Sequence, residues 1–169
     1  MKRLAVLAVT ALALAIPSAV LANHSWGGYH WARTSNPFTL KVIDRVDSSW
    51  DSYLLTTVSD WSTPVGGATD VLDLIREDGA VTKNCKGTSG KVQVCNGRYG
   101  YNGWLGLAQI WISGLHITKG TAKMNDSYFS LPQYDNSAEK NHVMCQEVGH
   151  TLGLDHQDES GATLGTCMD

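Results

Sequence analysis

One stretch of this sequence constrains the fold more than any other, because its spacing demands a helix followed by a turn. It has the form x-E-x-x-H-x-x-G-x-x-H, with Gln146 in the first slot and then Glu147, His150, Gly153 and His156. Residues four apart share a helix face, so Gln146 and His150 point towards one spot, with Glu147 beside it. Gly153 adopts a left-handed conformation at little steric cost, which ends the helix and brings His156 back towards the same spot.

This arrangement is typical of a catalytic metal site. Catalytic zinc commonly has three protein ligands and a water in the open position. The ion lowers the pKa of that water from 15.7 to about 7, and a nearby carboxylate can then take its proton. We therefore predict Zn²⁺ as the cofactor, with Gln146, His150 and His156 as ligands and Glu147 as the general base.

At these residues the chain resembles the metzincin zinc metalloproteases of the matrixin-like branch, which carry H-E-x-x-H-x-x-G-x-x-H followed by a Met-turn beneath the metal. Met168 matches the Met-turn, whereas Gln146 stands where the family has histidine. The resemblance implies a zincin-like α+β fold: a mixed, twisted β-sheet with two main helices, the second carrying the metal site. It also implies a secreted endopeptidase that hydrolyses peptide bonds in a peptide or protein substrate.

Gln146 leaves two alternatives open for the third ligand and for function. Its carbonyl oxygen can face a metal, but it is neutral and harder than imidazole, so we expect weaker zinc binding and a more strongly Lewis-acidic ion. His142 is a second candidate, yet along a continuous helix it lies about 12 Å from His150. We interpret His142 as a polar residue of the first helical turn. The alternative function is a catalytically impaired metzincin-fold protein that binds peptides.

The N-terminus predicts export. Lys2 and Arg3 precede an apolar stretch from Leu4 to Ile16, and small residues follow as far as Ala22. A basic start, a short apolar core and a small-residue end are typical of a secretory signal peptide. The rival interpretation, a membrane anchor, would need about 20 apolar residues. We therefore predict a signal peptide at 1–22, a secreted location that is extracellular or periplasmic, and a mature form without a membrane segment.

Residues 23–169 have the size of one catalytic domain. The formal charge of −3 and the lack of basic runs argue against nucleic acid as a partner, and we expect a monomer. The sequence stops at Asp169, directly after the Met-turn, whereas metzincins continue with the wall of the substrate pocket. We therefore expect either a minimal form or a fragment truncated at its C-terminus.

Four cysteines in an exported chain suggest two disulfides, for which three pairings are possible. Cys85 and Cys95 bracket a glycine-rich turn, which favours a staple across a hairpin. That pairing leaves Cys145 and Cys167, whose bridge would tie the active-site helix to the turn that carries Met168.

Apolar periodicity predicts the remaining elements. We expect strands at 38–43 and 69–76, a helix at 48–61 capped by Asp47 or Ser48, a hairpin at 85–95, a strand buried on both faces at 105–113, an edge strand at 115–125, and the active-site helix at 137–152. In metzincins the peptide substrate lies along the edge strand. The resemblance therefore places the substrate beside Leu115, His116, Ile117, Thr118 and Lys119.

Six tryptophans raise a different class of function, a secreted carbohydrate-binding module. We interpret Trp50, Trp61 and Trp111 as core residues, because the first two share a helix face and the third lies in an apolar run. Trp26 and Trp31, near the predicted mature N-terminus, stay ambiguous. His24 and His30 beside them can bind a metal weakly, but we interpret them as surface residues.

Overall fold

A computed structural model describes residues 24–64, 66, 68, 70–158, 160 and 164–169. The predicted signal peptide at 1–22 lies outside these residues. Among the helices described, none is long and apolar enough to cross a membrane.

The chain forms an α+β fold with a mostly parallel sheet and three helices in its described part. In chain order the elements are β1 (His30–Trp31), β2 (Phe38–Arg45), α1 (Asp51–Ser62), β3 (Leu72–Asp78), β4 (Lys91–Gly97), β5 (Gly106–Ser113), β6 (His116–Asn125), α2 (Asp126–Phe129) and α3 (Ser137–Thr151). The predicted mixed sheet and two main helices are thus present, as α1 and α3.

The sheet has the order β1-β6-β4-β2-β3, and β5 pairs with the other side of β6. Neighbouring strands on the main path are parallel, whereas β5 is antiparallel to β6. A tight turn through Gly114, whose φ is 61°, connects β5 to β6. The register of this pair shifts between Trp111, which pairs with Lys119, and Ile112, which pairs with Ile117, so Thr118 of β6 is the extra residue of a β-bulge.

This topology corrects the predicted edge strand. The strand at 115–125 is not at an edge, because β6 has β5 on one side and β1 and β4 on the other. The edge near α3 is β5, which was expected to be buried on both faces. Its exposure rises towards Ser113, and Trp111 and Ile112 are 37% and 43% exposed. Trp111 is therefore not a core residue, and among the strands that the structure describes β5 has a neighbour on one side only.

Helices α1 and α3 pack together against the sheet and enclose the core. As predicted from the apolar face of α1, Trp50 and Leu54 are buried, and Val58 and Trp61 pack partly buried against the same cluster. Trp50 itself is the N-cap and α1 has no side-chain cap. Asp47, the predicted cap, instead accepts a hydrogen bond from the Ser49 amide in the turn before the helix.

Both predicted disulfides are present, Cys85–Cys95 and Cys145–Cys167. The first is not a hairpin staple. Cys85 lies in a loop, and Cys95 lies in β4, which runs parallel to both of its neighbours. The loop turns at Gly90, whose amide donates to the Thr118 carbonyl of β6 at 2.8 Å, so 85–90 never form a strand that could pair with β4.

Candidate functional site

The helix-then-turn geometry at the end of α3 brings two histidines together. Asn136 caps the helix by accepting a hydrogen bond from the Glu139 amide, as Asn commonly does at this position. At the other end Gly153 has a φ of 96°, and a Cβ there would lie 2.1 Å from the Tyr29 carbonyl oxygen. Position 153 therefore needs glycine for two reasons: its φ is positive, and there is no room for a side chain. The turn leaves the rings of His150 and His156 4.7 Å apart between centroids.

The tautomer of His150 is fixed by its backbone contact. Its Nδ1 lies 2.8 Å from the Leu154 carbonyl oxygen. A carbonyl oxygen only accepts, so Nδ1 carries the hydrogen and Nε2 keeps its lone pair in the neutral ring. Burial lowers the pKa of His150, which favours that neutral ring. An oriented imidazole of this kind is the usual form of a histidine metal ligand.

Glu147 is held in a buried position beside the start of β5. Its residue is 7% exposed, and the Ala108 backbone N–H donates to its carboxylate. A Cβ on Gly106 would lie 2.4 Å from Glu147 Cγ, so glycine alone leaves room for this side chain. Burial raises the pKa of Glu147 to about 7, and the hydrogen bond from Ala108 opposes that rise. Such a carboxyl group can both accept and release a proton near neutral pH.

These groups meet in a cavity of about 300 Å³ between α3 and the edge strand. It is lined by Trp26, Gly106, Leu107, Ala108, Glu147, His150, Asp155 and His156. The cavity thus joins the first residues of β5, the end of α3 with its turn, and the N-terminal segment. Trp26 reaches it because its amide donates to the Gly153 carbonyl at 2.8 Å and its ring meets the His150 ring edge-on at 5.8 Å.

Gln146 and His142 do not line this cavity. Gln146 Nε2 donates to the backbone oxygen of Asp169 at 3.1 Å, which leaves Oε1 as the only atom of the side chain able to bind a metal. His142 lies in the continuous helix α3, which begins at Ser137. About two helical turns separate His142 from His150, so the two side chains cannot share one ion.

Two side chains of the site, His150 and His156, are spaced to bind one zinc ion. Two imidazoles on one tetrahedral zinc ion have centroids about 5 Å apart, and the spacing of 4.7 Å between His150 and His156 agrees with that value. In the part of the chain that the structure covers, no group of three His, Cys, Asp or Glu residues is arranged to hold a metal. His150 and His156 therefore supply two ligands, and Gln146, the third ligand predicted from the sequence, does not line the cavity.

The segment around Met168 lies against α3. Met168 is 4% exposed, and a Cβ on Gly149 would lie 2.6 Å from its sulfur. The Cys145–Cys167 disulfide joins this segment to the helix. The Asp169 carboxylate accepts hydrogen bonds from backbone N–H groups of the same turn, and the hydroxyl of Thr166 is the main cause of its lowered pKa.

The predicted substrate positions are not at the site. Residues 116–119 belong to β6, and His116 lines a different cavity, beside His30. Sequence reasoning also missed Trp26, Asp155 and the first residues of β5. One available signal was Gly106, because a glycine at the start of a strand often marks a close approach by another group.

No family model, curated protein or solved structure matches this chain.

Proposed function

We propose that this chain is a secreted zinc-dependent endopeptidase with a metzincin-like site in a zincin-like fold. One observation carries the proposal: His150, His156 and the buried Glu147 converge on a single cavity that opens along an edge strand. Three features support the proposal: the raised pKa of Glu147, the oriented imidazole of His150, and the edge strand β5 beside them.

The substrate in this proposal is an extended peptide that pairs with β5. An edge strand presents unpaired backbone N–H and C=O groups, to which a peptide can add as a further strand. Gly106, Leu107 and Ala108 line the cavity, so a peptide on this edge passes directly over Glu147. The proposed binding strand is therefore β5, and not residues 115–119, which the resemblance to metzincins implies.

His150 and His156 would hold the ion, and water would fill the remaining positions, because Gln146 does not line the cavity. When bound, zinc supplies carbonyl polarisation and a water of lowered pKa. Glu147 accepts a proton from water in the cavity and returns it to the leaving amine, which its pKa of about 7 allows at neutral pH.

Replacing Glu147 tests this proposal. The purified protein should contain about one zinc per chain and cleave casein or a peptide library. Glu147→Gln should lower kcat/KM by about 10²–10⁴-fold, because removal of a general base has costs of that order. Glu139→Gln makes the same chemical change in the first turn of α3, outside the cavity, and should leave cleavage unchanged. Equal cleavage by the Glu147→Gln variant and the parent would overturn the mechanism.

The second candidate is a catalytically impaired peptide-binding protein, and the bond from Gln146 to Asp169 favours it. In that case the parent protein should bind little zinc and cleave no peptide. The Gln146→His variant should bind zinc more tightly than the parent. Zinc content and cleavage measured on both proteins separate the two functions.

A further inference from the structure

His30 and His116 form a second pair of imidazoles, outside the cavity that contains Glu147. The two residues are direct partners in the parallel pairing of β1 with β6. Their ring centroids are 5.0 Å apart and the rings are perpendicular. Both residues are exposed and line an open cavity of about 850 Å³. Their backbones are thus held by the sheet while the rings face water.

The free nitrogen of His30 is determined by a backbone contact. His30 Nδ1 lies 2.9 Å from the Gly28 carbonyl oxygen. The carbonyl can only accept, so Nδ1–H donates and Nε2 keeps its lone pair. His150 shows the same pattern with Leu154. An imidazole whose second nitrogen is fixed in this way is oriented for metal binding, because no freedom of the ring has to be lost.

We infer that His30 and His116 bind a divalent transition-metal ion of the zinc and nickel class. Imidazole nitrogen suits these metals, and the separation of 5.0 Å agrees with the spacing of about 5 Å for two imidazoles on one ion. The two histidines supply two ligands, and water fills the remaining positions. This site is distinct from the proposed catalytic site and goes beyond the proposed function.

An anion is the competing ligand for the same cavity, because Arg33 also lines it and no carboxylate does. The two chemistries respond in opposite directions to the removal of Arg33. Loss of its positive charge weakens the binding of an anion, whereas it leaves a metal ion bound as well or better. Arg33→Ala therefore serves as the variant that separates them.

Binding at this position would connect two distant parts of the chain. His30 belongs to the N-terminal segment, and His116 begins the strand β6, which runs through the sheet. An ion held by both side chains fastens the short strand β1 to β6, whose pairing spans only two residue pairs. Zinc should consequently slow amide hydrogen exchange at Trp31 and raise the temperature of unfolding.

The test uses the mature chain with His24→Ala, His150→Ala and His156→Ala, so that His30, His116 and His142 are the remaining histidines. Zinc ion alone is titrated and followed by calorimetry. We expect one site per chain, and we expect His30→Ala or His116→Ala to raise Kd by at least about tenfold, since even outer-shell partners of metal ligands cost 10–100-fold when removed. His142→Ala and Arg33→Ala should not weaken binding.

Circular dichroism of the background protein and of each variant verifies the fold, and replacement of the exposed residues His30, Arg33 and His116 should not disturb it. The inference is overturned if the background protein binds no zinc at millimolar concentration. It is also overturned if His116→Ala binds zinc as well as the background does, or if His142→Ala weakens binding as much as His116→Ala.

Discussion

At the scale of single residues, the site depends on glycines where another group needs the space of a side chain. Gly106 leaves room for the Glu147 carboxylate, and Gly153 leaves room for the Tyr29 carbonyl. The first contact holds the proposed base against the edge strand. The second allows the N-terminal segment to reach the end of α3. Both glycines therefore act by leaving space, and they determine where other groups of the site lie.

Gly106→Ala should therefore act through Glu147. The new Cβ would overlap Glu147 Cγ, and we expect the free energy of unfolding to fall by about 1–3 kcal/mol, with loss of any peptide cleavage. In a Glu147→Ala background the overlapping atoms are absent, so the same change should cost little. A double-mutant cycle by urea denaturation measures the difference. The same cost in both backgrounds would show that Gly106 is needed for another reason.

At the scale of elements, the helix and its turn were predictable, whereas the sheet edge was not. Helix α3 ends within one residue of the prediction, because Asn136, Gly153 and the spacing between them are local signals. The roles of β5 and β6 were exchanged because strand pairing is not local. Apolar residues in β5 such as Trp111 look like core residues in sequence, but their exposure depends on whether a further strand lies beyond them.

The two disulfides should have different effects on the site. Cys145 and Cys167 are 22 residues apart and join α3 to the turn at Met168, whereas Cys85 and Cys95 are 10 apart and join a loop to β4. Replacing either pair by alanine should cost about 2–4 kcal/mol of unfolding free energy. Only loss of Cys145–Cys167 should also weaken zinc binding. Urea denaturation and zinc titration of both variants give the comparison, and equal zinc affinities would contradict it.

At the scale of the whole molecule, residues 24–31 tie the N-terminal segment to the candidate site. The Trp26 amide donates to Gly153, the Asp155 amide donates to His24, and the Trp31 indole donates to the Thr151 carbonyl at 2.9 Å. These bonds join residues from opposite ends of the described chain. The cavity is therefore complete only when the N-terminal segment packs against the end of α3, and short sequence motifs alone could not have revealed its Trp26 wall.

Trp31→Phe should remove one of these bonds while keeping an aromatic ring. It leaves the carbonyl of the buried residue Thr151 without its indole donor, so we expect a loss of about 1–3 kcal/mol in unfolding free energy. Trp111→Phe is the matched control on the exposed edge strand and should change stability by less than about 0.5 kcal/mol. Similar losses in both variants would mean that the indole bond contributes nothing specific.

The bulge between Trp111 and Ile112 bears on how copies of this protein behave at high concentration. An edge strand that accepts a peptide also accepts the same strand of another molecule, which is a route to aggregation. The end of β5 near Ser113 carries exposed apolar side chains, including Ile112. These side chains would favour such pairing if the edge were flat. The bulge has its extra residue, Thr118, in β6 and increases the local twist of the pair, which bends this end of β5 out of line. The register of β5 with β6 is regular from Gly106 to Trp111, whereas the twisted end from Ile112 to Ser113 is a poor template for a second copy.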